Sequence, residues 1–214
     1  MNDDFHRELV AGLLEDSLDR PGSHVLWSTQ GFGMARIYLT EDRDVRLNIW
    51  HSALAVDGLT PETGMVHTHP WDFTSRIVVG QLRNQRYRWQ RSGPDVIRDG
   101  WCRAEITPGP GGHFDAAGPS GHDSRRFGNL VKLPLENNGC SYGPGGTYSQ
   151  THDEIHHTEY VDGTVTINRR ERGSLPDRAF TFWKSDREWV SAEPKPADGG
   201  DLVLALEAAL ELLS

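Results

Sequence analysis

Residues 65–73, MVHTHPWDF, place His67 and His69 one residue apart and follow them with Pro70, Trp71 and Asp72. On an extended strand, residues two apart share a face. Both imidazoles can then aim at one point with Met65 beside them, while Val66 and Thr68 face the other way. Such a pair either holds a metal at a strand end or stands as two hydrogen-bonded histidines beside a turn. The flanks argue for a strand leading into a hairpin. Pro61-Glu62-Thr63-Gly64 precedes the pair as a turn, and the β-rich run Ser75 to Leu82 follows, broken at Gly80.

Similar runs fill the middle of the chain. Residues 24–40, 45–56, 75–90, 163–171 and 178–185 mix β-branched, aromatic and polar residues with a period near two, and Gly, Pro, Asn and Asp separate them. Many short strands without intervening helices predict a sandwich or closed barrel over residues 24–190, not alternating βαβ units. The two ends read as helices. Within residues 1–20, Phe5, Leu9, Val10, Leu13, Leu14 and Leu18 recur at helical spacing until Asp19-Arg20-Pro21-Gly22 stops the run. Within residues 200–214, Leu202, Leu206, Ala209, Leu210 and Leu213 follow Asp201, a capping residue type. The 214 residues fit one domain, with ample length for a hydrophobic core.

Composition removes several classes of partner. The chain carries 31 acids against 22 bases, a net charge of −9, with no run of Lys or Arg. Neither nucleic acid nor an anionic membrane is suggested. No stretch approaches the ~20 apolar residues of a membrane span. The acidic N-terminus lacks the basic region of a signal peptide, so the expected location is cytoplasmic. Cys102 and Cys140 are too few for a disulfide scaffold and read as inert thiols. No glycine-rich nucleotide loop is present. The glycine- and proline-rich segment 108–146 reads as a lid or rim.

His67, His69 and Gly80 carry a resemblance to the first motif of the cupin superfamily, in which a histidine pair is followed by a glutamate and then a hairpin glycine. The resemblance implies an all-β, double-stranded β-helix (a jelly-roll barrel) with a metal inside. Here Phe73 and Thr74 stand where the glutamate would fall, and Asp72 sits just short of them. That departure implies a three-histidine site, or one to which Asp72 adds a carboxylate. Cysteine-dioxygenase-like thiol dioxygenases also lack this glutamate, and residues 67–87 are loosely similar to their first motif. The candidate second motif is YSQTHDEIHHTEYVDGTVTINRRER, residues 148–172, with His152, His156 and His157 ahead of an Asp162-Gly163 hairpin turn. The resemblance implies His156 as third ligand. His157 is the alternative, since adjacent strand residues face opposite ways, and His152 shares the parity of His156. It spans roughly residues 45–170.

Three neutral imidazoles on one side of a divalent ion leave neighbouring positions open, which suits Fe(II) binding a substrate and O2 together. Zn, Mn or Ni fit the same donors. The expected function is therefore a metal-dependent cupin enzyme, foremost a non-haem Fe(II) dioxygenase acting on a small carboxylate- or thiol-bearing substrate. A metal-dependent isomerase or lyase, with the ion as Lewis acid, and a non-enzymatic small-molecule-binding cupin are the alternatives. Asp72 is the candidate catalytic or ligand-orienting acid. Arg76 is the candidate carboxylate anchor because guanidinium binds carboxylate bidentately. Trp71 is a candidate cavity wall, and His51 a candidate to share the cavity. The apolar C-terminal helix permits a homodimer contact.

Overall fold

The computed structural model describes residues 3–19, 27–88, 90–91, 100–108, 114–115, 131–132, 134–136, 139–171, 179–184, 186–188, 190 and 199–214. Most of the segment read as a lid or rim, and the Pro21-Gly22 stop, lie outside these residues. Helix α1 (Asp3–Asp19) precedes strands β1 (Trp27–Gln30), β2 (Phe32–Tyr38) and β3 (Val45–Ala55). A π-helical turn at Pro61–Met65 leads into β4 (Val66–His67), β5 (Asp72–Val79), β6 (Leu82–Tyr87) and β7 (Gln90–Arg91). Next come β8 (Trp101–Pro108), β9 (Phe114–Asp115), β10 (Val131–Lys132) and β11 (Cys140–Tyr142). The chain closes with β12 (Thr147–Gln150), β13 (Ile155–Tyr160), β14 (Thr164–Glu171), β15 (Ala179–Lys184) and helix α2 (Gly199–Leu213).

The protein is thus largely β, in two antiparallel sheets with a helix near each end. One sheet runs β1-β2-β3-β14-β5-β12; the other runs β11-β6-β13-β4-β15-β8-β10-β7, with β9 against β8. From β3 to β6, and again from β12 to β15, successive strands alternate between the sheets. Helix α2 starts at the two glycines, so Asp201 lies in its first turn and complements the helix dipole from there. No described helix is long and apolar enough to cross a membrane. Cys102 and Cys140 are free thiols.

Strand period and helix cover together determine which face points where. In the first sheet, Ala35, Ile37, Leu47, Ile49 and Val165 share the face that packs on α1 and α2. There they join Val10, Leu14, Leu202, Ala205, Leu206 and Ala209 in the largest buried apolar cluster. Each fully buried Leu or Ile in it contributes ~1.5–3 kcal/mol of transfer free energy. The opposite parity looks toward the second sheet and is mixed: Met34, Trp50, Phe73, Ile77 and Tyr148 alternate there with Arg46, Asn48, Thr166 and Asn168, all buried. The space between the sheets is therefore lined by apolar and aromatic side chains with polar groups set among them.

Two turns depend on glycine. Gly80, between β5 and β6, has φ +79°, and a Cβ there would meet the Thr164 backbone at 2.7 Å. Gly163, in the β13–β14 turn, has φ +81°, and a Cβ would lie 2.5 Å from the Ala208 carbonyl oxygen of α2. The Asp162 carboxylate beside it accepts hydrogen bonds from the Ser52 N–H (2.8 Å) and hydroxyl (2.6 Å), pinning the turn to β3.

Candidate metal centre

His67 ends β4 and is the direct cross-strand partner of His156 on β13. Beyond β4 the chain stays extended because Thr68 is held to β15. Its N–H donates to the Phe180 carbonyl at 2.8 Å, and its hydroxyl accepts from the Phe180 N–H at 2.9 Å. His69 is thereby returned to the side of His67. The imidazole nitrogens of His67, His69 and His156 lie within 4.8 Å of one another, with His69 Nε2 and His156 Nε2 3.0 Å apart. Ring centroids are 4.8 Å (His67–His69), 4.6 Å (His67–His156) and 5.1 Å (His69–His156) apart.

Neighbours fix the rings. His67 Nδ1–H donates to the Met65 carbonyl at 2.8 Å, which leaves the Nε2 lone pair free. Phe32 stacks on His67 at 4.5 Å, and Phe73 meets His69 edge-on at 4.8 Å. Burial disfavours the imidazolium at all three positions. It brings the His67 pKa down to about 4 and places those of His69 and His156 well below the usual value, with the neighbouring histidines adding to the effect at His69 and His156. All three are therefore neutral at pH 7, the state in which imidazole binds a metal. His156 Nδ1 is buried without a hydrogen-bond partner.

The three rings open on a cavity of about 90 Å³ between the sheets. Phe32, Met34, Trp50, Phe73 and Tyr148 supply its apolar and aromatic wall, and Arg36, Arg46, Asn48, Thr158 and Asn168 its polar one. Trp71 also lines it, with the Arg46 guanidinium 5.7 Å and the Arg170 guanidinium 5.0 Å from its ring centroid.

The remaining candidates sit elsewhere. His157 points to the other side of β13, where Nδ1 bonds the Tyr87 hydroxyl at 2.9 Å and Nε2 lies 3.6 Å from Glu159. Asp72 shares the outward parity of β5. Its carboxylate accepts from the His152 N–H at 2.6 Å and lies 3.0 Å from the His152 ring, and these bonds hold its pKa below the usual value. Both residues are off the cavity lining, so neither Asp72 nor His152 joins the three histidines. Arg76 also has outward parity on β5 and does not line the cavity. His51 lies on the outer parity of β3; its Nδ1 accepts from the Ala53 N–H at 3.1 Å, and its Nε2 is 3.8 Å from Asp162.

Two residues that strand reading did not single out dominate the polar wall. Arg36 on β2 and Arg46 on β3 both face the cavity, together with Asn48 and Asn168. Their signal was parity: each alternates with residues that pack under the terminal helices. Among models of known protein families none matches the chain, and no curated protein matches it.

Proposed function

We propose that the chain is a cupin-type metalloenzyme in which His67, His69 and His156 hold one divalent metal, and that it carries out oxidative chemistry with O2 on a small polar substrate. The observation that carries this reading is the convergence of three neutral imidazoles on one cavity. The strand order supports the barrel. β3 pairs with β14, β4 with β13, β5 with β12 and β6 with β11, the nested pairing of a jelly roll folded from one long hairpin.

The donor set fits a metal. His67, His69 and His156 would hold it through three neutral imidazole nitrogens, a donor set that suits Fe(II), Mn, Ni or Zn. Bound there, the ion supplies Lewis acidity and, as Fe(II), redox chemistry at positions the histidines leave open. The chain supplies the rest. Met65 fixes the His67 tautomer, Phe32 and Phe73 hold two of the rings, and Trp71 and Tyr148 wall the substrate space.

Metal analysis after anaerobic Fe(II) reconstitution tests the reading. About one ion per chain is expected in the wild type, with near-total loss in His67→Ala. Empty wild-type protein would overturn it. Oxygen-electrode traces with small carboxylic and thiol acids then test the oxidative part. Turnover without O2 uptake would assign the ion a purely Lewis-acid role.

A further inference from the structure

Arg46 is only 5 % exposed, and no carboxylate among the described residues pairs with it. Among those residues neither Arg36 nor Arg46 takes part in a salt bridge, and the Nε of each is buried without a hydrogen-bond partner. The groups facing Arg46 are two cations, Arg36 and Arg170, and two phenols, Tyr38 and Tyr148; Arg36 faces Tyr38. Arg170 is neutralised by Asp44, 2.7 Å away, and so brings Arg46 no counter-charge. Arg36 hydrogen-bonds Tyr38 and Arg46 lies over Trp71, but neither guanidinium meets a negative counter-charge among the described residues. A buried charge without a partner is strongly unfavourable, and the ligand that removes this penalty carries the opposite charge.

The strands bring the pair together. Arg36 stands opposite Asn48 and Tyr38 opposite Arg46 across β2 and β3, so the two arginines are diagonal neighbours on the inner face. A guanidinium fork matches a carboxylate bidentately, and two forks from adjacent strands match an anion of charge near −2.

We infer that the cavity binds a small doubly charged dicarboxylic acid, with carboxylate oxygens on Arg36 and Arg46 and the rest of the molecule toward His67, His69 and His156. This inference deepens the proposed function by naming a substrate class. It rests on reading this cavity as a substrate site, but binding on the arginines needs no metal.

Calorimetric titration of chelator-treated, metal-free protein with malonate tests it, with acetate and inorganic phosphate as parallel probes at matched ionic strength. The expected result is saturable malonate binding with a rise in Tm, and acetate weaker by at least about tenfold. Arg46→Met should weaken malonate about thirtyfold or more, while the unliganded variant melts no lower than wild type, because it has lost an unbalanced buried cation. A merely structural Arg46 would instead lower that Tm. Arg36→Met should show the same pattern if Arg46→Met does not fold. Acetate binding as tightly as malonate, phosphate binding more tightly than malonate, or unchanged malonate affinity in both variants would overturn the inference. Malonate binding by a protein that takes up no Fe(II) would uphold it while removing the metal reading. Fe(II) uptake without malonate binding would do the reverse.

Discussion

His67 and His156 are paired residues of β4 and β13, with ring centroids 4.6 Å apart, so antiparallel register itself brings two of the three imidazoles together. The next residue along β13, His157, is turned to the opposite side and bonded to Tyr87. This separates two adjacent histidines by function. His156→Ala should abolish metal retention. His157→Ala should leave metal content near wild type and lower stability by about 1–2 kcal/mol, because it strips a partner from the half-buried Tyr87 hydroxyl. Elemental analysis and thermal melts of both variants check this; metal loss in His157→Ala alone would reassign the third ligand.

Asp72 bridges β5 to the turn before β13 through two contacts with His152. Asp72→Asn keeps the shape and one acceptor oxygen but removes the charge. Metal content should be unchanged, and stability near pH 7 should fall by about 1 kcal/mol, since both groups are about a third exposed. A loss of metal comparable with that of His67→Ala would show that Asp72 reaches the ion.

His67 and His69 were legible as a pair because an HxH on a strand has one parity, whereas His156 was reached only through the resemblance to a second cupin motif, with His157 and His152 left open beside it. The terminal helices and the strands at 45–55 and 164–171 were legible from periodicity. The arginines were not. In MARIY and VRLNIW alternation alone does not say which parity faces solvent, and on an antiparallel strand the polar parity usually does. Here the helices cover the apolar parity, so Arg36, Arg46, Asn48 and Asn168 turn inward. The apolar stripes of residues 1–20 and 200–214 held the clue, since each stripe needs an apolar sheet face to cover. Asp72 was undetermined because Pro70 and Trp71 interrupt the strand parity between His69 and β5, and Arg76, chosen for its nearness to the histidines, lies on the outward parity of β5 and off the cavity.

Gly80 makes the turn by which the chain passes from β5 in one sheet to β6 in the other, and its place there is sterically exacting. With φ at +79° and the Thr164 backbone 2.7 Å from where a Cβ would stand, Gly80→Ala should destabilise by more than about 2 kcal/mol. Chemical denaturation should show a lower midpoint with an unchanged slope. A shift within error of zero would mean that the turn re-forms with another geometry.

The neutral histidine cluster gives the metal-free protein a definite pH dependence. Burial holds the His67 pKa at about 4 and those of His69 and His156 well below the usual value. In the unfolded chain these groups take up protons near pH 6.5, so below that pH the unfolded state binds more protons than the folded one. Stability is therefore retained above about pH 6.5 and declines as the pH falls toward 4, by up to ~1.4 kcal/mol per pH unit for each histidine. Saturating Fe(II) should raise the whole curve with little change of slope in this interval and carry the decline below about pH 4, because rings already neutral bind the ion without releasing a proton. Thermal melts of chelator-treated wild type and of the His67→Gln, His69→Gln, His156→Gln triple variant between pH 7.5 and 4.5 isolate this contribution from that of the carboxylates. The wild-type Tm should fall more steeply than that of the variant, and parallel curves would show that the three rings are protonated within the fold.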